Sequence, residues 1–135
     1  MAQLIDASVF IAQERRGQPT LNLASFAPDE RVALAAITAS ELMAGIYRAG
    51  SPQTRLQREA FVEAILSSIP VLPFDLRVAR THAQLWVQLV GVGQLIGAHD
   101  LLVAATALAH GYSVLTDNLR EFQRVPGLMV RQPSW

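Results

Sequence analysis

Four acidic residues stand where the chain signals a change of backbone structure. Asp6 follows the apolar run Gln3–Ile5, and Glu41 closes Thr38-Ala39-Ser40-Glu41. Asp100 opens an alanine-rich stretch, and Asp117 directly follows Ser113–Thr116. Carboxylates gathered in one pocket repel each other and lose hydration, so they are tolerated only when some protonate or a cation neutralises them. Oxygen donors without cysteine or paired histidine suit a hard ion, Mg²⁺ or alternatively Mn²⁺. Such an ion holds a water nucleophile and offsets charge on a phosphodiester under attack, so these acids, if gathered, point to phosphoryl chemistry. Each acid also has a plain structural explanation. Asp6 reads as a loop or cap residue, Glu41 as the far half of a capping box, Asp100 as a helix-dipole acid and Asp117-Asn118 as a turn.

The elements that must position these acids follow from the apolar pattern. Gln3 to Asp6 reads as a short buried strand, with Ser8 capping a helix to about Arg16. A short helix is expected over Leu21 to Phe26, before the turn signal Pro28-Asp29-Glu30. Arg31 to Ile37 reads as a second strand. Thr38 as N-cap with Glu41 then opens a helix to about Ala49. Gly50-Ser51-Pro52 ends that helix and starts another, to about Ser68, with Leu56, Ala60, Ile65 and Leu66 near one face. Ile69 to Phe74, with prolines at 70 and 73, reads as an edge strand, and Asp75 caps a helix to about Val90. After the glycines at 91, 93 and 97, His99 to His110 reads as a helix apolar nearly all round and therefore buried, ended by Gly111. Ser113 to Thr116 is a strand, Asn118 to Phe122 a helical turn, and Leu128 to Val130 a last short strand.

Short apolar strands alternating with helices imply an α/β fold: a three-layer α/β/α sandwich around a short, mostly parallel sheet. In such sheets sites form beyond the carboxyl ends of the strands, and that rule brings the four acids to one edge.

Composition limits the alternatives. The 135 residues suit one domain spanning 1–135, and the 51% apolar content is more than disorder allows. A core this rich predicts an apolar surface patch used in association. The chain has no cysteine, which removes disulfides and thiolate chemistry and fits a reducing cytoplasm. No signal peptide is visible at the N-terminus, and no apolar run approaches a membrane span. Every basic residue is arginine, so no lysine serves a phosphate loop or a Schiff base. Eleven acids balance eleven arginines, so nucleic-acid contacts would need a local patch; Arg15, Arg16, Arg48, Arg55 and Arg58 are the candidates, with a solvated helix face as the alternative. His82, His99 and His110 match no metal spacing, although His99 adjoins Asp100. Trp86 and Trp135 read as packing residues.

Taken together these segments resemble PIN-domain ribonucleases of the VapC toxin type. Leu4-Ile5-Asp6-Ala7-Ser8 resembles the family's opening motif, and Thr38-Ala39-Ser40-Glu41-Leu42 its second acidic motif. Ile96-Gly97-Ala98-His99-Asp100-Leu101-Leu102-Val103-Ala104-Ala105 is similar to the third. Leu115-Thr116-Asp117-Asn118, with Arg120-Glu121-Phe122 and Val125-Pro126-Gly127-Leu128, is similar to the fourth motif and tail. Residues 50–95 match only in length and helical character.

The resemblance implies Asp6 and Asp100 as the principal metal ligands. Glu41 would bind the ion directly or through water, and Asp117 or Asn118 would fill the fourth position. Ser8, Thr116 and Asn118 would orient ligands or waters. Ala7 stands where the family often has Thr, which removes one hydrogen bond. The resemblance also implies RNA as substrate (tRNA or ribosomal RNA), a homodimer, and inhibition by a cognate antitoxin. The antitoxin peptide would lie in an apolar groove of the early helices, a basic side chain pointing at the acids. Two rivals remain open on the residues. One is a phosphatase with Asp6 as nucleophile, which would want an aspartate where Ser8 stands and usually a lysine. The other is a non-catalytic binding module of the same fold.

Overall fold

The computed structural model describes residues 2–17, 22–23 and 30–134. Its elements run β1 (Ala2–Ile5), α1 (Ala7–Arg15), β2 (Arg31–Ala35), α2 (Ala36–Tyr47), α3 (Pro52–Ser68) and β3 (Val71–Leu72). Then follow α4 (Leu76–Gly91), α5 (Ala98–His110), β4 (Ser113–Leu115), α6 (Leu119–Phe122) and β5 (Val130–Arg131). The five strands pair in the order β3-β2-β1-β4-β5, all parallel. With β1 and β4 side by side, Ile5 sits opposite Leu115 and the chain leaves both strands on the same edge.

The period-2 alternation of the strands sorts the core into two layers. Ile5, Leu34 and Leu115 point to one face, where they meet Phe10, Leu42, Phe61 and Ile65 of α1, α2 and α3. Leu4, Ala33 and Val114 point to the other, against Leu85 and Leu89 of α4 and Val103, Ala104 and Ala107 of α5. Paired residues share a face, as Leu4 does with Ala33 and Val114. Slipping one strand by a residue would therefore turn its whole apolar set to the wrong layer. Each fully buried Leu, Ile or Phe contributes roughly 1.5–3 kcal/mol to this register. The helix from 98 to 110 is buried as its composition requires, and Gly111 ends it with φ 71°.

Two helix starts differ from the sequence reading. Asp6, not Ser8, holds the N-cap position of α1, and Ser8 lies inside the first turn. The capping box at Thr38 does not form. β2 stops at Ala35 and α2 begins at once, so Ala35 is the N-cap and both Thr38 and Glu41 lie within the helix. The strand leads straight into the helix, with no loop in which a Thr cap could stand. In α3 the inward residues are Phe61, Val62 and Ile65, while Leu56 is exposed. Asp75 caps α4 as expected, its Oδ1 accepting from Val78 N–H at 3.1 Å, and Ser51 Oγ caps α3 by accepting from Thr54 N–H at 3.1 Å. β3 is an edge strand, as its flanking prolines require. The expected helix over 21–26, the residues Pro28 and Asp29, and Trp135 lie outside the described residues, apart from positions 22 and 23. Among the described residues no helix is long and apolar enough to cross a membrane.

Candidate active site

Asp6 is delivered by the last rung of the sheet. Its N–H donates to Leu115 O at 2.9 Å, which extends the β1–β4 pairing one residue and puts Asp6 beside Thr116. Both residues are buried. Asp6 Oδ2 accepts from Ser8 Oγ at 2.7 Å and from Thr116 Oγ1 at 3.0 Å. The two hydroxyls are themselves held from behind. Asp117 N–H donates to Ser8 Oγ at 3.0 Å, and Asn118 N–H donates to Thr116 Oγ1 at 2.9 Å. Because the backbone supplies these donors, both hydroxyl protons are directed at Asp6. Ser8 thus orients the carboxylate next to it instead of capping the helix.

Asp100 enters from the first turn of α5, half-buried. Asn118 connects it to Asp6. While its backbone N–H supports Thr116, its side-chain Nδ2 donates to Glu121 Oε2 at 3.0 Å and to Asp100 Oδ2 at 3.4 Å. Glu121 Oε1 accepts from Gly97 N–H at 2.6 Å, which ties α6 to the start of α5. A Cβ at position 97 would lie 3.4 Å from Glu121 Oε1 and 3.8 Å from Asp100 Oδ2, so this glycine borders both carboxylates. Glu41, on α2, faces His99, with Nδ1 to Oε2 at 3.7 Å.

These groups act on one another electrostatically. Burial pushes the Asp100 carboxyl up to about 7, aided by a hydrogen bond to Glu121 and by the charges of Asp6, Glu121 and Glu41. Glu41 is raised, first by burial and further by Asp6, against the opposing pull of His99 and Arg48. Glu121 is lowered, chiefly by the Gly97 N–H, with Asn118 and Asp100 also donating to it. Four carboxyl groups therefore share one edge of the sheet: Asp6, Glu41, Asp100 and Glu121. Perturbed acids gathered at a strand edge are the electrostatic mark of a site.

Three of the four acids singled out in the sequence are in this set. Asp117 is exposed, and what it contributes to the contacts above is its backbone N–H. Glu121 was missed. The spacing Asn118-x-x-Glu121 at the start of a short helix carries the signal, because it places an acid in the first turn after a strand end. Among the described residues no three acidic or histidine side chains converge tightly enough to hold an ion by themselves. The donors nevertheless fit Mg²⁺ in kind, since that ion is commonly held by one or two carboxylates and keeps several waters.

Beside the acids runs a groove of about 500 Å³ between α1, α2 and α3. Phe10, Ile11, Phe61 and Val62 give it an apolar wall, and Glu41 and His99 lie in its lining.

The chain matches the PIN domain family over residues 4–128. It is similar to ribonuclease VapC1 of Rickettsia felis, 35% identical over 130 residues that cover 96% of this chain and 95% of that protein. It is 34% identical over 100 residues to the tRNA(fMet)-specific endonuclease VapC of Salmonella typhimurium, covering 74% of each chain. Its fold superposes on the crystal structure of DNA-bound VapBC from Salmonella typhimurium with a TM-score of 0.81 at 26% identity, covering 98% of both chains. With its acids converging at the carboxyl edge of a parallel sheet, the chain belongs to the PIN-domain family and, within it, to the VapC ribonucleases.

Proposed function

We propose that this chain is a Mg²⁺-dependent endoribonuclease, the toxin of a toxin–antitoxin pair, formed by a single PIN domain over residues 1–135. The observation that carries the reading is the bridge made by Asn118, which links the hydroxyl pair holding Asp6 to the carboxylates of Asp100 and Glu121. That arrangement gathers hard oxygen donors from three distant segments at one edge of the sheet, where mutual repulsion makes a divalent cation favourable. Asp6 and Asp100 would hold the ion, with Mn²⁺ as the alternative. Once bound, it supplies an activated water and charge neutralisation for phosphodiester hydrolysis.

The protein's own residues do the rest. Ser8 and Thr116 fix the rotamer of Asp6, so one of its oxygens is committed to hydroxyls and the other is left for a ligand. Asn118 orients Asp100 and Glu121 together. Glu41 and Glu121 add negative charge that would strengthen the hold on a cation, and Glu41, raised by burial, is the better placed of the two to accept a proton. Asp117 contributes through its N–H to Ser8.

The substrate class is RNA. The relatives are named ribonucleases, and the Salmonella relative is named for tRNA(fMet), which makes tRNA the first substrate to try. Its structural counterpart is a VapBC complex, and the partner proposed here is likewise a cognate antitoxin, seated in the groove between α1, α2 and α3. A homodimer would cover the apolar side chains that α4 leaves exposed, among them Trp86, Val87 and Val90.

The test is cleavage of tRNA and total RNA with Mg²⁺, with excess chelator, and by Asp6→Asn. Cleavage abolished by chelator and reduced at least about a hundredfold in the variant is the expected result. Equal activity in all three would overturn the proposal.

A further inference from the structure

Five arginines of the helices around the groove could meet phosphate, and their contacts separate them. Arg58 is committed: Nε and Nη2 donate to the Glu14 carboxylate, the latter at 2.8 Å, and Nη1 donates to Gly45 O at 2.8 Å. Arg55 donates to Tyr47 O and lies 5.9 Å from the Tyr47 ring centroid. Arg16 has an interaction of its own and does not line the groove. Arg15 at the end of α1 and Arg48, the C-cap residue of α2, are exposed, line the groove, and make no side-chain hydrogen bond or ion pair among the described residues. Arg48 is close enough to the acids to pull Glu41 downward.

We propose that Arg15 and Arg48 hold RNA phosphates flanking the one that is cut, so that the substrate strand runs along the groove rim between α1 and α2. The inference rests on the ribonuclease reading and adds the path of the strand. The physical need is plain. Four carboxyl groups repel a polyanion, and a bound cation offsets that repulsion only at the reacting phosphate. The chain has no lysine and no net charge, so approach must depend on a few placed guanidinium groups. Along α2, Arg48 lies seven residues beyond Glu41, or about 10 Å at the helical rise. It therefore meets a phosphate beyond the scissile one. These residues position the strand and take no part in bond breaking. An antitoxin seated in the same groove would cover both.

The experiment is steady-state cleavage of a single-stranded RNA oligonucleotide by wild type, Arg15→Gln, Arg48→Gln and the double variant over a range of salt. Arg55→Gln serves as the control. KM should rise several-fold in each single variant and roughly tenfold in the double, with kcat within about twofold of wild type. The slope of log(1/KM) against log salt should fall by about 0.7 for each arginine removed. Arg55→Gln should leave KM and slope unchanged. Thermal midpoints, with and without Mg²⁺, should match wild type in all variants. Wild-type cleavage with unchanged KM and slope in the double variant overturns this inference alone, whereas a wild type that leaves RNA uncut overturns the ribonuclease reading on which it rests.

Discussion

Thr116 Oγ1 donates to Asp6 Oδ2 at 3.0 Å across 110 positions of sequence, and both side chains are buried. The contact exists because β1 and β4 are neighbours in the sheet and end at the same level. Thr116 also accepts the Asn118 N–H at 2.9 Å, so one hydroxyl holds the first acid and the turn that carries the amide of Asn118.

Replacing Thr116 with Val keeps the shape and removes both interactions. The Asn118 N–H and Asp6 Oδ2 each lose a partner, at a cost of about 1–3 kcal/mol in folding stability. Losing an orienting hydrogen bond should also weaken metal affinity and cleavage by roughly 10–100-fold. Denaturant melts and Mg²⁺ titration measure the two effects separately. A Thr116→Val protein with wild-type Mg²⁺ affinity would show that Asp6 needs no such support.

The raised carboxyl of Asp100 makes stability depend on pH in a particular direction. In the folded protein it keeps its proton to about pH 7, while in the unfolded chain it loses it near 3.8. The folded state thus binds more protons across that window, and the metal-free protein should lose stability as pH rises through it. Burial is the main cause, so Asp100→Asn should flatten the profile. A divalent ion favours the charged form, and its stabilising effect should be larger at pH 8 than at pH 5. Thermal midpoints at those two pH values, with Mg²⁺ and with chelator, give the answer. A metal-free midpoint that changes from pH 5 to pH 8 by the same amount in wild type and Asp100→Asn would remove Asp100 as the cause.

The Arg58–Glu14 pair joins α3 to α1 and borders the groove without being free to leave Glu14. Arg58→Met should therefore lower stability modestly, by about 1 kcal/mol, as a partly exposed ion pair does. Its Mg²⁺ response should match wild type. Urea unfolding measures the first and a metal-dependent thermal shift the second. A loss of metal response equal to that of Asp6→Asn would place Arg58 in the site.

The strand ends were legible in sequence because each apolar run is short and stops at a polar residue, and a parallel sheet then aligns those stops. Asp6 followed from that rule, whereas Glu41 and Asp100 were marked by the helix starts near which they stand. The helix starts were less legible. Thr38 and Glu41 have capping-box spacing, but the chain turns helical at Ala36, directly from the strand. Local spacing cannot register that the sheet releases the chain two residues early. Ser8 escapes the capping rule for a related reason, since its hydroxyl partners are two residues away at Asp6 and over a hundred away at Thr116. In α3 Ile65 and Leu66 do pack against the core, but Leu56 and Ala60 lie on the solvent side, and Phe61 and Val62 take the inward places of the preceding turn.

The choice between Asp117 and Glu121 as the fourth acid gives the sharpest test. Asp117 acts through its backbone N–H, which Asp117→Asn retains, and its side chain is exposed. That variant should keep cleavage within about threefold of wild type, as surface changes usually do. Glu121 accepts from Gly97 N–H and Asn118 Nδ2, and its charge and hydrogen bond both raise Asp100. Glu121→Gln removes the charge and turns one acceptor into a donor facing the Asn118 amide. Cleavage should fall by roughly 10–100-fold, the usual effect of losing a group that orients a metal ligand. The Asp100 carboxyl should also move down toward its ordinary range, which ¹³C NMR of labelled aspartate in the metal-free protein would detect. The opposite ranking, with Asp117→Asn inactive and Glu121→Gln active, would restore Asp117 to the site and assign the Asn118–Glu121 contact to folding alone.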